Sequence, residues 1–107
     1  INMEVIEFML QSEGAIVYKA KNGKEAVEQF GQIKNLDLIL MDLMMPIMDG
    51  YDATLQIRKK DKKIPILAMS ANAYMQDIQK CYKAGMNGHI SKPLYLEDLK
   101  NRIIQIV

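Results

Sequence analysis

Two continuous apolar runs, Asp37–Met41 and Ile64–Ser70, set narrow limits on the fold because hydrophobic and polar residues do not alternate in them. A strand that is buried on both faces has this pattern, whereas a strand with one solvent-facing side alternates. Both runs are therefore predicted to be inner strands of a sheet that helices cover on both sides.

Segments with helical periodicity separate these strands along the chain. Asn22 has the character of a helix N-cap, and Glu25 follows three residues later, as in a capping box. Helices are predicted at Asn2–Glu13, from Asn22 through Phe30, at Tyr51–Lys60, at Tyr74–Ala84 and at Leu96–Val107, and two short strands at Ile16–Ala20 and His89–Ser91. A helix followed by four strand–helix units predicts an α/β fold with a doubly wound parallel sheet.

Composition excludes several classes of protein. A chain of 107 residues, half of them apolar, is predicted to form one domain over residues 1–107. The net charge of +1 gives no electrostatic reason to expect binding to nucleic acid or to a membrane surface. Cys81 is the only cysteine, which rules out an intrachain disulfide and favours a reducing cytoplasm.

Three polar residues stand where predicted strands end: Asp42, Ser70 and Lys92. The carboxyl ends of parallel strands meet at one edge of a sheet, where open α/β sheets bind their ligands. A carboxylate can act as a nucleophile, and a hydroxyl and an ammonium can bind phosphoryl oxygens, so this set suits phosphoryl transfer. Taken singly, each residue has a plainer interpretation as a turn residue, a strand end or a solvated lysine.

The segments "LILMDLMMPIMDG", "IPILAMSA" and "GHISKPL" resemble the signature segments of response-regulator receiver domains, and the similarity runs from Asn2 to Val107. It implies a flavodoxin-like (CheY-like) fold of strand order 2-1-3-4-5. It also implies a function in two-component phosphorelay signalling, in which the protein is a binding switch and not a classical enzyme. The segment "GMNGHISKP" is more similar to receivers of hybrid sensor histidine kinases than to stand-alone chemotaxis regulators.

The resemblance also implies a role for each matching site residue. Asp42 would accept a phosphoryl group from a histidine kinase or phosphotransfer protein, Lys92 would pair with it, and Ser70 and His89 would be the switch residues. Ala71, Asn72 and Pro93 would flank the phosphoryl group, with Pro93 after a cis peptide bond. Asp42 and the backbone carbonyl of Met44 would be ligands of Mg²⁺.

One feature of the family has no counterpart in this sequence. The family has a central first strand that ends in two acidic residues, which hold Mg²⁺ together with the phosphoacceptor, whereas residue 1 already stands near the start of the first helix. Mg²⁺ binding is therefore expected to be weak. The strand could belong to a longer native chain, be replaced by a partner's strand in a dimer or strand-swapped assembly, or be compensated by moving the second strand beside the third.

Two other functions are compatible with parts of the sequence. A pseudo-receiver would have the same fold and dock partners without phosphorylation, or the chain could be a non-functional truncation; the absent acidic pair favours these alternatives. A hydrolase of the haloacid-dehalogenase type also uses an aspartate at a strand end, but it needs a second aspartate two residues later, where this chain has Met44.

Overall fold

The computed structural model describes residues 3–71 and 75–107 of the chain. The elements within these residues are α1 (Met3–Ser12), α2 (Gly23–Gln32), β1 (Ile39–Asp42), α3 (Gly50–Arg58), β2 (Ile66–Ser70), α4 (Met75–Ala84), β3 (Gly88–Ser91) and α5 (Leu96–Ile106). Their bounds lie within about two residues of those predicted for the same elements. The predicted capping of α2 is confirmed, because the Asn22 side chain accepts a hydrogen bond from the Glu25 N–H.

The three strands form a parallel sheet of order β1-β2-β3, which confirms the predicted α/β class. β1 pairs with β2 from Ile39↔Ile66 to Asp42↔Met69. β2 pairs with β3 from Leu67↔Gly88 to Ser70↔Ser91. All three strands therefore end at one edge of the sheet, with Asp42 and Ser70 at that edge.

Hydrophobic clusters cover both faces of the sheet. One cluster contains Met41 and Ala68 from the strands and residues of α2, α3 and α4. The other contains Leu67, Met69 and Ile90, together with Ile6 of α1 and Leu99 of α5. The alternation of side chains along each strand assigns successive residues to opposite clusters, as expected for strands that are buried on both faces.

The prediction of a strand at residues 16–20 is wrong. No residue of that segment pairs in the sheet, and the side chains of Ile16 and Tyr18 are 84% and 57% exposed. The segment has the β-branched and aromatic composition of a strand, but a strand is stable only in a hydrogen-bonded ladder. The rearranged sheet is also wrong, because among the described residues β1 pairs with β2 alone. A strand supplied by a partner stays a prediction.

The hydroxyl group of Thr54, in the middle of α3, is fully buried and has no hydrogen-bond partner among residues 3–71 and 75–107. Burying a hydroxyl without a partner costs roughly 1–3 kcal/mol. Thr54→Val, which keeps the shape of the side chain, is therefore expected to raise the free energy of unfolding by about 1 kcal/mol in urea denaturation. Thr54→Ser keeps the hydroxyl, loses a buried methyl group and is expected to lower that free energy. A Thr54→Val protein that is less stable than the wild type would contradict this account.

Candidate functional site

Asp42 ends β1 with a carboxylate that is held at both oxygens. Its Oδ1 accepts a hydrogen bond from the Met44 N–H at 3.0 Å, and its Oδ2 lies 3.1 Å from Lys92 Nζ. The side chains of Asp42 and Lys92 are 24% and 19% exposed. The carboxylate is thus oriented by the protein while part of it remains open to solvent.

The loop between β1 and α3 is fixed at both of its ends. The Leu43 N–H donates to the Met69 carbonyl at 3.0 Å, and the Leu43 carbonyl accepts from the Gly50 N–H at 3.3 Å. Asp49 caps α3, because its side chain accepts from the Asp52 N–H at 2.9 Å. These bonds fix the backbone at both ends of the loop that follows Asp42.

Lys92 reaches Asp42 from the end of β3, across the intervening strand. Its backbone N–H donates to the Ser70 carbonyl at 2.7 Å, which extends the ladder beyond β3. The peptide bond between Lys92 and Pro93 is cis, as predicted. The structure therefore brings together the carboxylate and the ammonium that were predicted to meet at this edge.

Ser70 and His89 form a buried pair on the other face of the sheet. Ser70 Oγ lies 2.7 Å from His89 Nε2, and the two residues are only 6% and 7% exposed. Paired residues of parallel strands share a face, so the register Asp42↔Met69 places the Ser70 side chain on the face opposite to Asp42. The Ser70 hydroxyl is thus directed toward His89 in this structure, and His89 is buried and bonded.

The remaining residues predicted for the site differ in how they are placed. Ala71 and Pro93 are exposed near the ends of β2 and β3, and Met44 is 80% exposed in the loop after Asp42. Asn72 lies outside the described residues. The roles assigned to these residues stay predictions.

The residues that the structure describes do not complete a Mg²⁺ site. They contain no group of three or more histidine, cysteine, aspartate or glutamate side chains that could hold a metal ion. Mg²⁺ prefers carboxylate and water oxygens in an octahedral shell. Asp42 offers one carboxylate, both of whose oxygens already have partners, and Glu7 pairs with Lys19 at 3.1 Å instead.

Two features of the site were missed from the sequence. The cap formed by Asp49 had a usable signal, because an aspartate directly before a helix is a preferred N-cap. No signal in the sequence indicated the hydrogen bond between Ser70 and His89, because that bond depends on the register between β2 and β3.

None of the helices among the described residues is long and apolar enough to cross a membrane.

The sequence profile for the response regulator receiver domain matches residues 1–104. "Probable histidine kinase 6" of Oryza sativa subsp. japonica is 32% identical over 127 residues, which cover 100% of this chain and 13% of that protein. A peroxide stress-activated histidine kinase of Schizosaccharomyces pombe is 38% identical, with 92% of this chain and 6% of that protein covered. The chain thus spans a small part of these relatives.

Solved structures show the same similarity. The receiver domain of a sensor histidine kinase from Pseudomonas aeruginosa PAO1, with a magnesium ion in its active-site cleft, has a TM-score of 0.89 and 37% identity. That match covers 98% of this chain and 87% of the other. The receiver domain of Ssk1 from Saccharomyces cerevisiae, in complex with the histidine phosphotransfer protein Ypd1, gives a TM-score of 0.90 at 29% identity, with 98% and 80% covered.

Proposed function

Because the chain belongs to the response regulator receiver domain family, we propose that it works in phosphorelay signalling by accepting a phosphoryl group on Asp42. The observation that carries the proposal is the half-buried carboxylate of Asp42, 3.1 Å from Lys92 Nζ at the carboxyl edge of the sheet. Receiver domains are binding switches and not classical enzymes. We further propose that this chain promotes only its own phosphorylation and dephosphorylation.

The phosphoryl donor in this proposal is a phosphohistidine on a histidine kinase or a phosphotransfer protein. An oxygen of Asp42 attacks the phosphorus atom, the new P–O bond forms, the P–N bond breaks, and the departing imidazole takes a proton from solvent. Lys92 stabilises the negative charge that the phosphoryl oxygens carry during transfer. The Met44 N–H, which donates to Asp42 Oδ1, keeps the carboxylate oriented for attack.

A magnesium ion bound by Asp42 and the Met44 carbonyl is a separate part of the proposal. The similar Pseudomonas receiver holds a magnesium ion in its active-site cleft. Because the described residues contain no group of three or more side chains that could hold a metal ion, weak binding is expected. No step of the transfer above is assigned to the ion.

Switching is proposed to depend on Ser70 and His89. A phosphoryl group on Asp42 adds acceptor oxygens at the end of β1, and the Ser70 hydroxyl would leave His89 to donate to one of them. His89 would then lose the bond that orients it at 2.7 Å. A changed orientation of His89 on β3 would alter the surface to which a partner protein binds.

The partners follow from the same proposal. The Ypd1–Ssk1 complex contains a phosphotransfer protein bound to a similar receiver domain, and the curated relatives described above are histidine kinases. These similarities favour a function in phosphorelay signalling over docking without phosphorylation and over the activity of a hydrolase. A cytoplasmic location, expected from the single cysteine, is part of the proposal.

Labelling with a small-molecule phosphodonor tests the proposal directly. The protein is incubated with acetyl phosphate and Mg²⁺, and the modified residue is located by mass spectrometry of proteolytic peptides. We expect one phosphoryl group, on the peptide that contains Asp42, and its removal by hydroxylamine, which cleaves acyl phosphates. Labelling of a different residue, or none under conditions that label another receiver, would contradict the proposal.

Lys92→Gln is expected to reduce the rate of this labelling by about 10²-fold, because the positive charge beside the transferred group is removed. The rate is measured by electrophoresis that separates the phosphorylated and unphosphorylated protein. Lys100→Gln is the matched control, since Lys100 is a half-exposed lysine of α5 that pairs with Glu13 at 3.5 Å. Equal rates for Lys92→Gln and Lys100→Gln would remove Lys92 from the mechanism.

A further inference from the structure

Ile47, in the loop between β1 and α3, has a backbone conformation that isoleucine rarely adopts. Its φ angle is +70°, and the N–H of Met48 donates to the carbonyl of Pro46 at 2.7 Å, so Ile47 is the central residue of a γ-turn. A γ-turn with positive φ is rare and strained, and a β-branched side chain makes this region of φ less favourable still. Asparagine and glycine adopt positive φ at a lower cost. Backbone conformation alone would therefore favour either of them over isoleucine at this position.

The side chain of Ile47 contributes little to the stability of the fold. It is 80% exposed, as is the side chain of Met44 in the same loop, and among the described residues neither belongs to a hydrophobic cluster of the core. Met45 and Met48 of this loop, in contrast, pack against the cluster that contains Met41. The loop thus keeps two apolar side chains in solvent, and we call Met44 and Ile47 the loop pair. A strained residue whose side chain does not stabilise the fold is typical of a functional site.

The geometry of the loop keeps the loop pair near the phosphoacceptor. The loop is closed at its base, where the Leu43 carbonyl accepts from the Gly50 N–H at 3.3 Å and a Cβ at Gly50 would collide with the Asp42 carbonyl oxygen. Ile47 is three residues from Gly50, a stretch of chain that spans at most about 11 Å. A protein–protein interface of standard size covers about 800 Å² of each partner, which corresponds to a disc of roughly 16 Å radius. An interface of that size centred on Asp42 therefore reaches the loop pair.

We propose that the loop pair is an apolar contact for the protein that delivers the phosphoryl group, and that Ile47 helps to determine which donor protein is accepted. The inference rests on the proposed transfer to Asp42, because a phosphohistidine that comes within bonding distance of this carboxylate brings the surface of its own protein over the loop. The donor that fits has an apolar patch beside its phosphohistidine, since a polar patch would lose water against Met44 and Ile47 without gaining hydrogen bonds. Acetyl phosphate has no such surface and does not use this contact.

The test compares a protein donor with a small donor. The protein donor is phosphorylated Ypd1, the phosphotransfer protein of the Ypd1–Ssk1 complex. For each variant, kcat/KM for transfer from Ypd1 is divided by the rate of labelling of the same variant by acetyl phosphate. Ile47→Asn is expected to lower this ratio about tenfold, through a higher KM for Ypd1, because an apolar contact in the interface is lost. An unchanged ratio would overturn this inference alone, whereas failure of acetyl phosphate to label the wild-type protein would contradict the proposed function as well.

Two control variants and a stability measurement separate the apolar contact from the strain of the turn. Ile47→Val keeps an apolar, β-branched side chain, so its ratio should stay within about twofold of the wild-type ratio. Ile104→Asn is the surface control, because Ile104 is 71% exposed on α5, whose Ile106 lies against Gly88 at the opposite edge of the sheet. In urea denaturation, the midpoint of Ile47→Asn should rise by roughly 0.5–1 M, since asparagine tolerates positive φ. An equal fall of the ratio in Ile104→Asn, or a lower midpoint for Ile47→Asn, would overturn the proposal.

Discussion

Replacing Asp42 with asparagine is expected to lower phosphoryl incorporation from acetyl phosphate by about 10³-fold or more, to background. The amide keeps the shape of the side chain but has no anionic oxygen to attack phosphorus. The lost ion pair with Lys92 is partly exposed, so the free energy of unfolding should change by no more than about 1 kcal/mol. Loss of labelling in a folded protein would therefore report on the nucleophile and not on the fold.

Asp49→Asn is the matched control for Asp42→Asn. Asp49 lies in the same loop, and it caps α3 through the Asp52 N–H at 2.9 Å. Asparagine and aspartate cap helices about equally well, so this variant should remain folded and be labelled like the wild type. Equal labelling of the Asp42→Asn and wild-type proteins would refute the assignment of Asp42 as the phosphoacceptor.

Gly50→Ala is expected to lower the free energy of unfolding by about 2–3 kcal/mol, the usual effect of inserting an atom into a packed region. A Cβ at Gly50 would collide with the carbonyl oxygen of Asp42 and lie 3.0 Å from Leu43 Cα. Both contacts are with backbone, so no side chain can rotate away. Urea denaturation measures the stability, and the phosphodonor assay should show slower labelling because the collision is with Asp42 itself.

Gly31→Ala is the control for Gly50→Ala. Gly31 lies in α2, and the nearest atom to a Cβ at that position would be the flexible Lys60 Nζ at 3.6 Å. Alanine in a helix is more stable than glycine by roughly 0.5–1 kcal/mol. This variant should therefore be slightly more stable than the wild type. If the Gly50→Ala protein were as stable as the Gly31→Ala protein, the backbone of the loop between β1 and α3 would be able to shift at little cost in free energy.

The inner strands could be predicted from sequence because burial on both faces leaves a direct compositional pattern. The run Asp37–Met41 corresponds to β1 at Ile39–Asp42, and the run Ile64–Ser70 to β2 at Ile66–Ser70. The meeting of Asp42 and Lys92 could be predicted for a similar reason, since residues at the carboxyl ends of parallel strands share one edge.

The segment of residues 16–20 could not be predicted correctly from its own composition. Ile16 and Tyr18 favour a strand, yet strand formation is a property of a pair of segments and no residue here is paired in the sheet. The bond between Ser70 and His89 was missed because it depends on which face each residue occupies. That choice follows from the register between strands, which local sequence does not encode.

The opposite orientation of Asp42 and Ser70 bears on cooperativity between the two layers of helices. Asp42 and Lys92 are placed on the side of α1 and α5, whereas Ser70 and His89 are placed on the side of α3 and α4. A phosphoryl group held by Lys92 and Ser70 together would connect the two layers around the edge of the sheet. Local opening of one layer would then require release of the other, so phosphorylation would couple the local opening of the two layers.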